Sequence, residues 1–280
     1  MQVNRFWGSV WSVVAYLFAV ALLLYIAQSV ATLFGLLPAA WARPVTALVG
    51  LVIPIVGTIG YLDWRWNWRP EHVGLARRFD AAIWSLAGLG IGAVAGLVTV
   101  LLTGLLPGGE GLPGLRVATF PVWTLVQLLF LAFITELIFR GAVVSRYQAD
   151  LTNREVLIAA TLTPFGWQIL QSFFRLGDLT VGVTTAWTAA MSVALTLLFL
   201  RTDSVWLNTG IRFGTVASLV ITGVGSRQVE TGGLLLWGAV AVILLAMEWN
   251  KLQGQPKRME PPHQNRWGRG RTVRGPWGPH

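Results

Sequence analysis

Long apolar runs separated by short polar stretches dominate this chain. A helix that crosses the hydrocarbon core of a bilayer needs about 20 mostly apolar residues, and eight segments come close to that length and composition. They lie at residues 9–36, 45–62, 81–105, 118–147, 155–173, 180–200, 204–226 and 231–248, of which the fifth and seventh are the least apolar. The pattern predicts an all-α fold, a polytopic membrane helix bundle with about eight transmembrane helices.

The charges strengthen this prediction and add an orientation. Only 12% of the residues are charged, roughly half of the ~25% that is typical of soluble domains, so most of the surface does not face water. With the N-terminus in the cytoplasm, the cytoplasmic side holds the tail and Arg5, Arg65, Arg69, Arg77, Arg78, Arg146, Arg154 and Arg201, and the other side holds Arg43, Arg116, Arg175 and Arg227. The positive-inside rule therefore places both termini in the cytoplasm.

The basic excess, 21 basic against 12 acidic residues, indicates a partner for the loops and the tail. Because these residues flank predicted spans, the indicated partner is the bilayer with its anionic headgroups, and not nucleic acid. The chain divides into two N-terminal helices with a Trp/Arg-rich loop (1–69), a membrane core (70–226), a last transmembrane helix (227–249) and a basic, disordered cytoplasmic tail (250–280).

Three glycines in the third span recur at every fourth position. Gly88, Gly92 and Gly96 lie on one helix face. A face without side chains lets a neighbouring backbone approach closely, so this pattern predicts a tight helix–helix contact.

Three charged side chains, Glu136, Arg140 and Arg212, fall clearly inside the spans and away from their ends. A charge in hydrocarbon is costly and marks a functional hypothesis by default. Glu136 and Arg140 share a helix face, and Arg212 needs an anion for which Glu136 is the one intramembrane carboxylate, so we predict that Arg212 and Glu136 meet. The other polar residues of these spans, which are expected to line a common pocket, are Thr135, Gln168, Gln171, Asn208 and Thr215.

The spans lack the ligands of a metal site. A catalytic zinc ion needs three ligands from histidine, carboxylate or thiolate. The chain has no cysteine, and its histidines, His72, His263 and His280, lie outside every predicted span. We therefore expect neither a metal nor another cofactor.

The core contains, in this order, TELIFRG at 135–141, TPFGWQI at 163–169, and LRTDSVW at 200–206 followed by GIRF at 210–213. These stretches resemble the three motifs of the CAAX protease and bacteriocin-processing (CPBP) family of intramembrane proteases. The stretch TELIFRG at 135–141 is similar to the family's first motif, Glu-Glu-x-x-x-Arg. TPFGWQI at 163–169 resembles the second, Phe-x-x-x-His, and LRTDSVW at 200–206 with GIRF at 210–213 resembles the approach to the third, His-x-x-x-Asn. VGL at 73–75 is similar to the Leu-Gly-Leu that often precedes the core. The resemblance implies a CAAX-type endopeptidase fold and activity.

Four of the six motif residues depart from the family pattern. The first glutamate, the two histidines and the asparagine are replaced, respectively, by Thr135, Ile169, Arg212 and Val216. Glu136 and Arg140 remain as the catalytic candidates. A glutamate whose ionised form is stabilised by guanidinium groups makes a poor base, so the departures predict a proteolytically inactive member.

Three functions stay open from the sequence. The first is an inactive family member that serves as a binding subunit or scaffold for a membrane-protein partner. The second is an intramembrane endopeptidase with an atypical site, made of Glu136 with Thr135, Gln168 or Asn208. The third is an unrelated small transporter or assembly factor. The preference for arginine over lysine indicates a GC-rich genome and hence the plasma (inner) membrane of a bacterium.

Overall fold

Every regular element in the part of the chain that the structure describes is helical. A computed structural model describes residues 2–33, 55–61, 74–75, 78–105, 122–173, 182–222 and 226–252. The helices are α1 (Gln2–Leu33), α2 (55–61), α3 (Arg78–Leu105), α4 (Val122–Glu136), a π-helical segment (Leu137–Val144), α5 (Ser145–Asp150), α6 (Asn153–Phe173), α7 (Val183–Thr202), α8 (Val205–Thr222) and α9 (Ser226–Leu252). The predicted all-α fold is confirmed.

Five of the described helical stretches are long and apolar enough to cross a membrane. They are Phe6–Leu23, Asp80–Leu105, Thr124–Asp150, Thr185–Thr202 and Val229–Asn250. Helices α6 and α8 form where the two least apolar spans were predicted. The predicted span 45–62 lies outside the described residues except for 55–61. The result is a polytopic membrane helix bundle.

Helices α3 and α8 run parallel in close contact. A side chain at Gly88 would meet the backbone of Leu207–Ile211, and one at Gly96 would lie 2.8 Å from the carbonyl of Thr215. The approach is reciprocal, because a Cβ at Gly214 would lie 2.6 Å from a carbonyl of α3. The predicted glycine face is therefore confirmed, and its partner is α8. Such contacts stabilise helix pairs in lipid, where apolar burial between helices has no driving force.

Besides a small group between α6, α7 and α9, two larger groups of buried apolar side chains hold the bundle together. One joins α1, the α4–π–α5 unit and α6, and includes Tyr16, Leu137 and Val143. The other joins α7, α8 and α9. Large apolar side chains such as Leu86 and Leu105 face outward on α3, which suits a surface in contact with lipid.

The segment at Gly74 packs on the turn between α7 and α8. Gly74 has φ +74°, and a Cβ there would lie 2.7 Å from the carbonyl of Asp203. The Val205 N–H donates to the Gly74 carbonyl at 3.1 Å, and Asp203 ends α7 in the left-handed conformation, φ 49°. A glycine is required here because of both the backbone angle and the close approach. This contact fixes the start of α8, the helix that carries Arg212.

Candidate functional site

A carboxylate and two guanidinium groups meet inside the bundle. Glu136, the last residue of α4, is fully buried. Arg212 of α8 donates from Nε to Glu136 Oε1 at 2.6 Å, so the predicted meeting of these two residues is confirmed. Arg140 Nε lies 3.3 Å from Glu136 Oε2, an ion pair without hydrogen-bond geometry. We call these three residues the Glu136 cluster.

Arg140 stays inside the protein and does not reach for the membrane surface. Its side chain is 1% exposed, and its Nη2 donates to the carbonyl of Ser192 at 3.2 Å and to the Ser192 hydroxyl at 3.1 Å. Ser192 lies in the middle of α7, so Arg140 links the π segment to α7 while Glu136 links α4 to α8. The Glu136 cluster therefore connects the continuous stretch of α4 and the π segment to both α7 and α8 in the bundle interior.

The chain becomes π-helical directly after Glu136. All eight residues of the π segment, Leu137–Val144, are buried. A π-helical turn has i→i+5 hydrogen bonds and is frequent at functional sites. Its effect here is local, because it sets where Arg140 projects relative to Glu136. No sequence pattern marks this segment.

The other predicted pocket residues make separate contacts. The Thr135 hydroxyl donates to the Leu131 carbonyl at 2.7 Å, and the Thr215 hydroxyl donates to the Ile211 carbonyl at 2.8 Å, so both bond to their own helix. Asn208 is buried and donates from Nδ2 to the Leu195 carbonyl at 2.8 Å. The side chains of Gln168 and Gln171 lie outside the described residues. The structure thus brings the three charged residues together and adds Ser192, which the sequence did not suggest.

The charges of the Glu136 cluster do not cancel. Two guanidiniums face one carboxylate, which leaves one positive charge, and Arg212 is 23% exposed while Glu136 and Arg140 are not. The remaining positive charge therefore resides on the Arg212 side of the cluster. Both carboxylate oxygens of Glu136 face guanidinium groups, Oε1 that of Arg212 and Oε2 that of Arg140.

The residues of the cluster do not fit a catalytic metal. Zinc requires several anionic or imidazole ligands, and a cation is repelled by two adjacent guanidiniums. Within the described ranges, no group of three histidine, cysteine, aspartate or glutamate side chains is close enough to hold an ion. The three histidines of the chain lie outside those ranges.

The Ser192 contact leads to a first prediction. Ser192→Ala removes the hydroxyl that accepts from Arg140 and leaves the carbonyl contact. Hydrogen bonds to charged groups contribute about 1.5–3 kcal/mol, so we expect a loss near the lower end of this range. Thr135→Val is the control, because among the described residues the Thr135 hydroxyl bonds to its own helix, α4. This substitution should change stability by less than ~0.5 kcal/mol. Unfolding in mild detergent measures both, and equal stability of the two variants would contradict the role of Ser192.

Part of the chain matches a known protein family. Residues 117–218 match the family described as type II CAAX prenyl endopeptidase Rce1-like. The matched stretch begins just before α4 and ends within α8, so it contains the whole Glu136 cluster and Ser192. It also lies inside the core predicted at 70–226. No curated protein and no solved structure matches the chain.

Proposed function

We propose that this chain, whose residues 117–218 match the Rce1-like family of CAAX prenyl endopeptidases, is a proteolytically inactive member of that family and acts as a binding subunit or scaffold. The observation that carries the proposal is the 2.6 Å contact between Arg212 and Glu136. Hydrolysis of a peptide needs a base that activates water. In this chain the remaining motif glutamate is instead engaged by a guanidinium.

The energetics of burial support a structural role for the cluster. A carboxylate that loses its partners inside a bundle costs several kcal/mol. Replacement of the family's histidine by Arg212 satisfies Glu136 without a metal or an imidazole. The site that is catalytic in the family would then serve as a structural cluster, in which ion pairs join α4 to α8 and hydrogen bonds from Arg140 to Ser192 join the π segment to α7.

An intramembrane endopeptidase with an atypical site is the second candidate, and the family match favours it. In this alternative Glu136 works with Thr135, Gln168 or Asn208. Two of these residues are engaged in other contacts, which disfavours this alternative. Thr135 donates to its own helix, and Asn208 donates to the Leu195 carbonyl. The partial exposure of Arg212 is what would let a substrate reach the cluster.

The proposed orientation follows from the charge pattern of the loops, and the proposed bacterial setting follows from the preference for arginine over lysine. We place the protein in the inner membrane of a bacterium with both termini in the cytoplasm. The basic residues of the loops and tail then face anionic headgroups, which attract each nearby Lys or Arg by about 1 kcal/mol.

Isolation of the tagged full-length protein from its native membranes in mild detergent tests the proposal. We expect a membrane-protein partner in stoichiometric amount, identified by mass spectrometry, and the same partner with the Glu136→Gln variant if that variant still folds. A protein that is isolated alone, and that cleaves a membrane-proximal peptide in a manner abolished by Glu136→Gln, would establish the endopeptidase instead.

A further inference from the structure

A lateral groove with unpaired polar groups lies between α3, α4 and α8. Its volume is about 390 Å³, within the ~300–1,000 Å³ typical of ligand pockets. Its walls are almost entirely apolar, and Leu86, Leu129 and Phe130 at its edge are exposed on the surface of membrane-spanning helices. The groove therefore opens toward the hydrocarbon of the bilayer.

Two buried donors in the groove wall have no hydrogen-bond partner among the described residues. They are the indole Nε1 of Trp206 and the hydroxyl of Thr209, whose residue is 3% exposed. An unpaired buried donor is costly, so two of them in one wall favour a ligand that accepts hydrogen bonds. An indole nitrogen can only donate, which requires an oxygen acceptor on that ligand. Trp206 is held in place by stacking on Phe133, with ring centroids 5.0 Å apart.

A second groove of similar size differs from the first in its polar groups. It lies between α1 and α6, has a volume of about 410 Å³ and is equally apolar. Its buried polar side chains are paired with each other, because the Tyr147 hydroxyl lies 3.3 Å from the Thr163 hydroxyl, which also donates to the Ala159 carbonyl at 2.7 Å. A purely apolar chain could therefore occupy this second groove without leaving a buried polar group unpaired. The groove at α8 additionally requires a polar end.

The charge next to the groove indicates the sign of that polar end. Arg212 follows Thr209 by three residues, so both lie on the same side of α8. Its Nε is engaged by Glu136, and its terminal nitrogens make no hydrogen bond to the described part of the chain. The excess positive charge of the Glu136 cluster favours an anion, and carboxylate is a planar anion that a guanidinium binds through paired hydrogen bonds.

We propose that the groove between α3, α4 and α8 binds a long-chain fatty acid, with the alkyl chain against the apolar walls and the carboxylate at Trp206, Thr209 and Arg212. This assignment goes beyond the proposed scaffold function and does not depend on it. Native mass spectrometry of the purified full-length protein in an uncharged detergent, with palmitate or methyl palmitate added, tests it. We expect one palmitate adduct per chain and at least tenfold weaker binding of methyl palmitate, since the ester lacks the charge.

Matched variants locate the adduct. Leu129→Trp fills the groove and should abolish palmitate binding, whereas Leu162→Trp in the second groove should leave it unchanged. Thr209→Val keeps the shape, removes the hydroxyl and should weaken binding five- to tenfold. The melting temperature of each variant confirms that it is folded.

Three results would overturn the proposal. The first is equal binding of the acid and the ester, which would show no recognition of a carboxylate. The second is binding that survives Leu129→Trp, which would place the ligand elsewhere. The third is a wild-type protein that binds no palmitate and releases a co-purified polypeptide on Leu129→Trp, which would make a partner helix the occupant.

Discussion

Arg212→Glu is expected to destabilise the protein by about 3–5 kcal/mol, the range measured when a buried ion pair loses one partner. The change removes the 2.6 Å contact to Glu136 and places a second carboxylate beside it in a low-dielectric interior. Arg140 remains, but its approach to Glu136 is longer and lacks hydrogen-bond geometry. We therefore expect a large fall in melting temperature, measured by the fraction of monodisperse protein after heating in detergent.

A charge swap and a surface variant separate this effect from a general intolerance of substitution. The double variant Glu136→Arg/Arg212→Glu again has two guanidiniums and one carboxylate, so it should recover part of the loss. Arg201→Glu breaks a pair with Glu248 that joins α7 and α9 at 3.5 Å, with Arg201 53% exposed, and should cost no more than ~1 kcal/mol. Wild-type stability of Arg212→Glu, or a charge swap without recovery, would contradict the pairing.

Gly92→Leu should prevent α3 and α8 from packing. A Cβ at Gly92 would overlap the backbone of Ile211, and a backbone cannot rotate away as a side chain can. Overpacking costs 1–3 kcal/mol when side chains absorb it, so a clash with backbone should exceed about 3 kcal/mol. We expect little folded protein in detergent extracts.

Gly90→Leu is the matched control on the same helix. A side chain at Gly90 meets nothing within 4 Å and faces outward, so leucine there should leave folding intact and gain helix propensity. Size-exclusion profiles of the two variants decide between the alternatives. Equal yields of monodisperse protein would mean that the close contact of α3 and α8 does not stabilise the bundle.

The sequence predicted those features of the fold that follow from a single strong constraint. The helices were predicted from the length of the apolar runs. The contact between Glu136 and Arg212 was predicted because a charge in the hydrocarbon region needs a counterion and only one was available. The glycine face of α3 also predicted a close neighbour. In each case the alternative is so costly that the residue type alone determines the outcome.

The rest of the site depends on geometry that no residue type announces. Ser192 is a small polar residue in a mostly apolar helix. It accepts a hydrogen bond from Arg140 only because α7 lies beside the π segment. The π segment itself has no sequence signature, although it decides where Arg140 projects. The choice of α8 as the parallel partner of α3 is likewise a property of the whole bundle.

The parallel pairing of α3 with α8 also constrains biosynthesis. Gly92 and Ile211 are roughly 120 residues apart, which at ~5–20 residues per second separates their translation by about 6–24 s. During that interval the glycine face of α3 contacts lipid or the insertion machinery. Glu136 already has a counterion, because Arg140 is made within the same helical unit and enters the membrane with it.

Helix α8 is in a different position when it emerges from the ribosome. It carries Arg212, whose insertion alone costs about 2.5–3.5 kcal/mol, and it is not among the five stretches that are apolar enough to span by themselves. Its integration is expected to depend on the earlier helices, because α3 provides the glycine face on which α8 packs and Glu136 provides the carboxylate that pairs with Arg212. Glu136 is thus synthesised before Arg212, and this order suits a helix that cannot enter the bilayer alone.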